Sequence, residues 1–141
     1  MKIGFVLDDS LDSTDGVQQY VLALGEYFSS KGHEVHYLVG QTSRNDLDNI
    51  HSLSKNIKVK FNKNVLSIPL LVSSSKIRKI YAKHQFDVLH VQLPFSPMLA
   101  AKVVNLAPSG TKIVGTFHIL PYSNLQRIGA QVLGKLTARA L

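Results

Sequence analysis

Four short apolar runs rich in β-branched residues recur along the chain: Ile3 to Leu7, Val35 to Val39, Val88 to Val91 and Ile113 to Phe117. Their length and make-up, with helical periodicity between several of them, predict buried strands of a parallel sheet covered on both faces. The first intervening segment places Val17, Tyr20, Val21, Leu24 and Phe28 on one helical face, with Asp15 as the expected N-cap and Lys31-Gly32 at the far end. Residues 41 to 56 read as a polar excursion. Ile57-Lys58-Val59-Lys60-Phe61 alternates as a strand does, and the apolar stretch Val65 to Val72 follows it with its register left open.

Ser73-Ser74-Ser75 is expected to cap a short helix through His84, with Ile77, Ile80 and Tyr81 facing inward. Lys76, Lys79 and Lys83 share its opposite side and Arg78 flanks them. Asp87 to Gln92 predicts a strand, Pro94 and Pro97 bracket the turn into a helix through Asn105, and Ala107-Pro108-Ser109-Gly110 closes that helix. The rhythm resumes with a strand from Lys112 to Phe117, and Leu125, Ile128, Val132, Leu133 and Leu136 predict a last helix running to Leu141. The expected class is α/β, a doubly wound parallel sheet. Such units usually continue, so a chain that stops on a helix reads as truncated.

At 141 residues and 45% hydrophobic content the chain fits one domain with a buried core. No apolar run is long enough to span a bilayer, and the start reads as a strand of a cytoplasmic protein. With no cysteine there is neither a disulfide nor a thiolate metal site. Charge changes the picture more. Residues 1 to 56 hold four Lys/Arg against eight Asp/Glu, and residues 57 to 141 hold twelve against one, so the two parts carry −4 and +11. That split implies a surface for an anionic partner, nucleic acid or an anionic membrane. Aromatic-basic interleaving, zinc spacing and a recognition-helix motif are all missing, so no nucleic acid is expected. A non-enzymatic module binding an anionic ligand or nucleic acid is the alternative reading.

Two strand ends carry the candidate chemistry. The first strand opens into the polar loop 8 to 15, which reaches Gly16 and enters a helix, and the strand ending at Phe117 delivers His118. Open α/β sheets bind ligands at such carboxyl ends. Neither the glycine-rich dinucleotide fingerprint nor a phosphate loop with lysine is present, which weakens dehydrogenase and P-loop readings. Asp15-Gly16-Val17-Gln18 offers instead a helix N-terminus with free backbone N–H groups, where glycine admits a ligand. Asp8-Asp9 suggests the acidic pair of a response-regulator receiver, but the third-strand aspartate and the fifth-strand lysine are missing. His33 and His36 lie three apart at the start of a strand and point to opposite faces, so no metal site is expected.

Several segments in order resemble the N-terminal domain of retaining glycosyltransferases of the GT-B fold, family four, of the phosphatidylinositol mannosyltransferase type. They are Lys2-Ile3-Gly4-Phe5-Val6, Gly16-Val17-Gln18, Leu22-Ala23-Leu24, Lys31-Gly32-His33-Glu34-Val35, Phe86-Asp87-Val88-Leu89-His90-Val91 and Gly115-Thr116-Phe117-His118. The resemblance covers nearly the whole chain. It implies a Rossmann-like, acceptor-side half of a GT-B fold over residues 1 to 141, with the nucleotide-sugar-binding C-terminal domain absent and this piece nearly inactive alone. By position it implies that His118 stands beside the transferred sugar as the catalytic residue and that Gly16 admits the donor. Asp9, Gln18, Thr116 and Ile119 would contact the acceptor. It further implies a GDP- or UDP-hexose donor, a lipid or sugar acceptor and no metal requirement. Lys76, Arg78, Lys79 and Lys83 would then meet an anionic membrane, with the protein peripheral at its inner face. Two positions depart from the family pattern: Asp15 replaces a frequent second glycine, and Gln92 a histidine that often follows His90. His90, inside a strand, is expected to be a core or cleft-wall residue.

Overall fold

The computed structural model describes residues 1–61, 64–94 and 96–118, with 58–61 and 64–68 described by backbone only. The chain runs β1 (Lys2–Leu7), α1 (Gly16–Ser30), β2 (Glu34–Val39), β3 (Ile50–Ser52), β4 (Lys55–Phe61) and β5 (Asn64–Leu70). It continues through α2 (Ser74–Lys83), β6 (Val88–Gln92), α3 (Leu99–Asn105) and β7 (Lys112–Thr116). Five strands form one parallel sheet in the order β3-β2-β1-β6-β7. This is the expected doubly wound α/β fold. The order reverses at β1, so the crevice where such sheets take ligands opens between the ends of β1 and β6.

Alternation along the strands feeds two cores. Ile3, Phe5, Leu7, Val35, Tyr37 and Val39 pack under α1 with its Val21. Val6, Leu38, Leu89 and Val91 face the other way, onto Ile77 and Tyr81 of α2 and Leu99, Val103 and Val104 of α3. Gly4 sits where β1 crosses that second core, and a Cβ there would meet Leu89 Cδ2 at 2.8 Å. The Tyr81 hydroxyl donates to the Val103 carbonyl at 2.6 Å and locks α2 onto α3, while burial raises its pKa.

Three expectations are corrected. The polar excursion at 41 to 56 contains β3, whose three residues are too few to show a period and which forms because β2 offers its edge. Asn49 takes φ 57° and its amide donates to the Val35 carbonyl at 3.2 Å, aiming the chain along β2. Residues 64 to 70 form β5, which pairs antiparallel with β4 as a separate hairpin. Tyr20 stays out of the core, 37% exposed, and its ring lies instead over His90 and His118, while Gln18, Val21 and Gly25 are the buried residues of α1. The helix boundaries follow the caps. Asp15 stands at the α1 N-cap without a side-chain hydrogen bond to the helix, and Gly32 turns the chain beyond its end at φ 78°. Ser73 caps α2 by accepting the Lys76 N–H at 3.2 Å. β7 stops at Thr116, one residue short of the expected end. The last expected helix lies outside the described residues.

Candidate functional site

The loops after β1, β6 and β7 meet at the crevice. Asp8, the first residue past β1, accepts the Ala100 N–H of α3 at 2.7 Å and the Ser96 hydroxyl. It thereby fills the start of α3 and ties the β1 and β6 loops together. Burial raises its pKa against the opposing pull of those two bonds, and the neighbouring Asp9 adds to the rise. The start of α1 is different, since no side chain caps it and Asp15 instead accepts from the Ser13 hydroxyl at 2.9 Å. Of the two helix starts at the crevice, that of α1 is the one without a side-chain acceptor.

Gly16 opens that helix. A Cβ built there meets nothing within 4 Å, and the backbone does not take a positive φ. Neither packing nor conformation asks for glycine, so the open space in front of the backbone is what the residue supplies.

One turn along α1, the Tyr20 ring meets the His118 ring edge-on at 5.1 Å and the His90 ring at 6.1 Å. His118 Nε2 lies 2.6 Å from Gln92 Oε1, and His90 Nε2 lies 2.7 Å from Thr116 Oγ1. With the amide oxygen assigned by this network, Gln92 accepts the His118 Nε2 proton and leaves Nδ1 as the acceptor nitrogen. Gln92 is 1% exposed, so its amide is a fixed partner. His90 is a cleft-wall residue, as expected, its ring tilted against Phe5 at 5.4 Å, and burial lowers its pKa with help from the nearby His118. The turn leaving β6 puts Leu93 at φ 53°, a costly conformation for that side chain. The Leu93 N–H donates to the Thr116 carbonyl at 2.9 Å, which holds the β6 and β7 ends side by side.

Gln18 closes the floor of the β1 loop. Its Nε2 donates to Asp9 Oδ2 at 3.4 Å and to the Ser10 carbonyl at 3.3 Å. Its Oε1 is buried with no hydrogen-bond partner among the described residues. A buried acceptor in that state is costly unless something else supplies a donor.

Gln18 and Asp9 thus meet in the loop at the start of α1 beside Gly16, and Thr116 and His118 stand with His90 against Tyr20 one turn along the same helix. Ile119 lies outside the described residues. Lys76, Arg78, Lys79 and Lys83 are all exposed on α2, which packs on the other face of the sheet, and none forms an ion pair among the described residues. Two members of the crevice were not singled out by sequence. Tyr20 reads from the helical period as one member of the apolar face of α1, and Gln92 reads only as a departure from the family pattern. The alternation of His90, Gln92 and Thr116 on one sheet face was the available signal.

A third feature owes nothing to spacing. His33 and His36 are kept apart as expected, but His36 comes up against His51 of β3 and His84 at the end of α2, with ring centroids 5.2 Å and 4.5 Å away.

A family model described as Glycosyltransferase Family 4 matches residues 14–141. The chain is 34% identical over 120 residues to a phosphatidyl-myo-inositol mannosyltransferase of Mycolicibacterium smegmatis, covering 84% of this chain and 31% of that protein. It is 32% identical to the Mycobacterium tuberculosis protein of the same name over the same shares. With the Propionibacterium freudenreichii protein of that name it shares 29% identity, over 99% of this chain and 39% of the relative. The chain therefore spans about a third of the length of the curated relatives it matches.

Proposed function

The chain belongs to glycosyltransferase family 4, and from that premise we propose that it is the acceptor-side half of a retaining sugar transferase. In this reading a hexosyl group moves from a GDP- or UDP-sugar to a hydroxyl of an inositol lipid such as phosphatidylinositol. The bond from the anomeric carbon to the diphosphate breaks, the acceptor oxygen takes its place, and the acceptor proton leaves with the diphosphate. The observation that carries the reading is the convergence of His118, fixed by Gln92, with the uncapped start of α1 one helical turn from Tyr20.

Each part then has a task. The N-terminus of α1, open at Gly16, attracts the diphosphate and stabilises the charge it gains on leaving. His118 Nδ1 accepts from a hydroxyl of the transferred sugar, and the imidazole supports the positive charge that builds on the ring in the transition state. Gln18, with its unsatisfied Oε1 near Asp9, takes a hydroxyl of the acceptor, with Thr116 at the same rim. The transfer is proposed to run without a metal cofactor. The cationic side of α2 holds the protein peripherally on the anionic inner face of a membrane. Among the described residues no helix is long and apolar enough to cross one.

The test is transfer by the intact enzyme from GDP-mannose, and in parallel from UDP-glucose, to phosphatidylinositol in vesicles, with the anomeric configuration of the product read by proton NMR. The reading requires a glycolipid product with the donor's anomeric configuration. An inverted product, or donor and vesicles left unreacted with both nucleotides, overturns it.

A further inference from the structure

We propose that His36, His51 and His84 form a binding site for a divalent transition-metal ion of the zinc class, separate from the sugar crevice. One nitrogen from each ring lies within 4.8 Å of the other two. A tetrahedral Zn²⁺ with bonds of about 2.0–2.1 Å spaces its nitrogen ligands by roughly 3.3 Å. His36 Nδ1 and His51 Nε2 are already 2.9 Å apart, so the remaining adjustment falls on His84, which is partly exposed at the end of α2.

The surroundings are those of a histidine metal site. His36 is fully buried, and Phe86 stands edge-on against its ring at 5.2 Å and holds its plane. Its second nitrogen, Nε2, is 2.8 Å from Glu34 Oε1. A carboxylate on the far nitrogen fixes the tautomer that turns Nδ1 toward the ion and raises its basicity, the usual support behind a ligating imidazole. Glu34 is steadied in turn by Lys2 at 3.2 Å. His51 and His84 are both partly exposed and give an entry path, and three protein ligands leave a fourth position for water. Three neutral nitrogens with no oxygen ligand favour zinc-class ions over Mg²⁺ and Ca²⁺, which demand oxygen.

The site is distinct from the crevice by position. His36 lies near the start of β2, two residues before Leu38 and so on the α2 face, whereas His90 within β6 and His118 past β7 stand on the α1 face beside Tyr20. An ion there would join the short edge strand β3 and the end of α2 to β2.

The experiment titrates Co²⁺ into the chelator-stripped intact chain and follows the visible bands of tetrahedral cobalt, then displaces it with Zn²⁺ while the thermal midpoint is recorded. The expected result is one Co²⁺ per chain, full displacement by Zn²⁺ and a rise in thermal midpoint with Zn²⁺. His51→Gln and His84→Ala, both at partly exposed positions and each checked for folding by circular dichroism, should each lose the bands and the thermal shift. His33→Ala should keep both. Absence of the bands in the wild-type chain overturns the proposal, as does an unchanged titration in folded His51→Gln and His84→Ala.

Discussion

Two groups of histidines sit on opposite faces of the same sheet, and they are built on different logic. At the crevice, His90 and His118 each have an uncharged polar partner, Thr116 and Gln92, and share the edge of Tyr20. Such partners set the tautomer and leave one nitrogen of His118 for a ligand. On the α2 face, His36, His51 and His84 face one another directly, with Glu34 behind His36. Imidazoles packed together without a cation between them repel protons. On the readings proposed above, the same side chain serves hydroxyl chemistry in one place and ion binding in the other, and its neighbours make the difference.

The largest expected effect separates the two groups by activity. His118→Ala in the intact enzyme should lower kcat roughly 100-fold or more, the cost of one preorganised polar contact to a developing charge, while the thermal midpoint stays near wild type. Steady-state kinetics beside a melting curve checks both, and unchanged turnover removes His118 from the site. Next, the basic side of α2 is tested without touching either histidine group. Lys76→Ala, Lys79→Ala and Lys83→Ala together should weaken binding to anionic vesicles by about 3 kcal/mol at low salt, from about 1 kcal/mol per cation. Vesicle sedimentation reads this, and salt-insensitive binding would contradict it.

The α2-face group should answer in stability. His36→Ala removes a fully buried ring with partners on both nitrogens, so about 2 kcal/mol of unfolding free energy should be lost. Denaturant titration measures it, and a loss as small as that of His118→Ala would erase the contrast.

A smaller effect concerns pH. Burial first, then the electrostatic influence of His36, His84 and Lys83, pushes the His51 pKa down to about 4. The unfolded chain binds that proton near pH 6.5, so stability is fully present above 6.5 and is lost as pH falls toward 4. His84 is also lowered, by burial first and then by His36, Lys2 and Lys83 against the pull of Glu34. The difference in pH slope between wild type and His51→Gln, both in chelator, isolates the first contribution. Identical slopes would show that His51 is not the group responsible.

The smallest stability effect belongs to Gly16→Ala. Its Cβ enters open space at the first position of α1, so the change in unfolding free energy should stay within about 0.5 kcal/mol. Donor affinity should nevertheless fall, as judged from KM for the nucleotide sugar. An unaffected KM would return Gly16 to a plain helix start.

Much of the crevice was legible because its parts are local. Gly16 at a helix start and His118 past a strand are readable from periodicity and from where strands stop. Tyr20 fits the apolar period of α1, yet the period does not tell a core ring from one that lies over His90 and His118, which only the packing of α1 on the sheet decides. That packing is close at Gly25, where a Cβ would lie 2.0 Å from the Tyr37 hydroxyl. β3 escaped because three residues carry no period.

The sequence by itself determined the parallel α/β architecture, since β-branched runs separated by amphipathic helices have few other ways to bury their apolar faces. It also determined which residues stand at strand and helix ends, because those ends are written in caps, glycines and prolines. Tertiary structure alone decided what meets across the sheet: Gln92 with His118, Asp8 with the start of α3, and three histidines from β2, β3 and the end of α2. The reason is physical. Local rules act over a turn or a strand, whereas these contacts are chosen by strand order and register, which the summed packing of both cores selects.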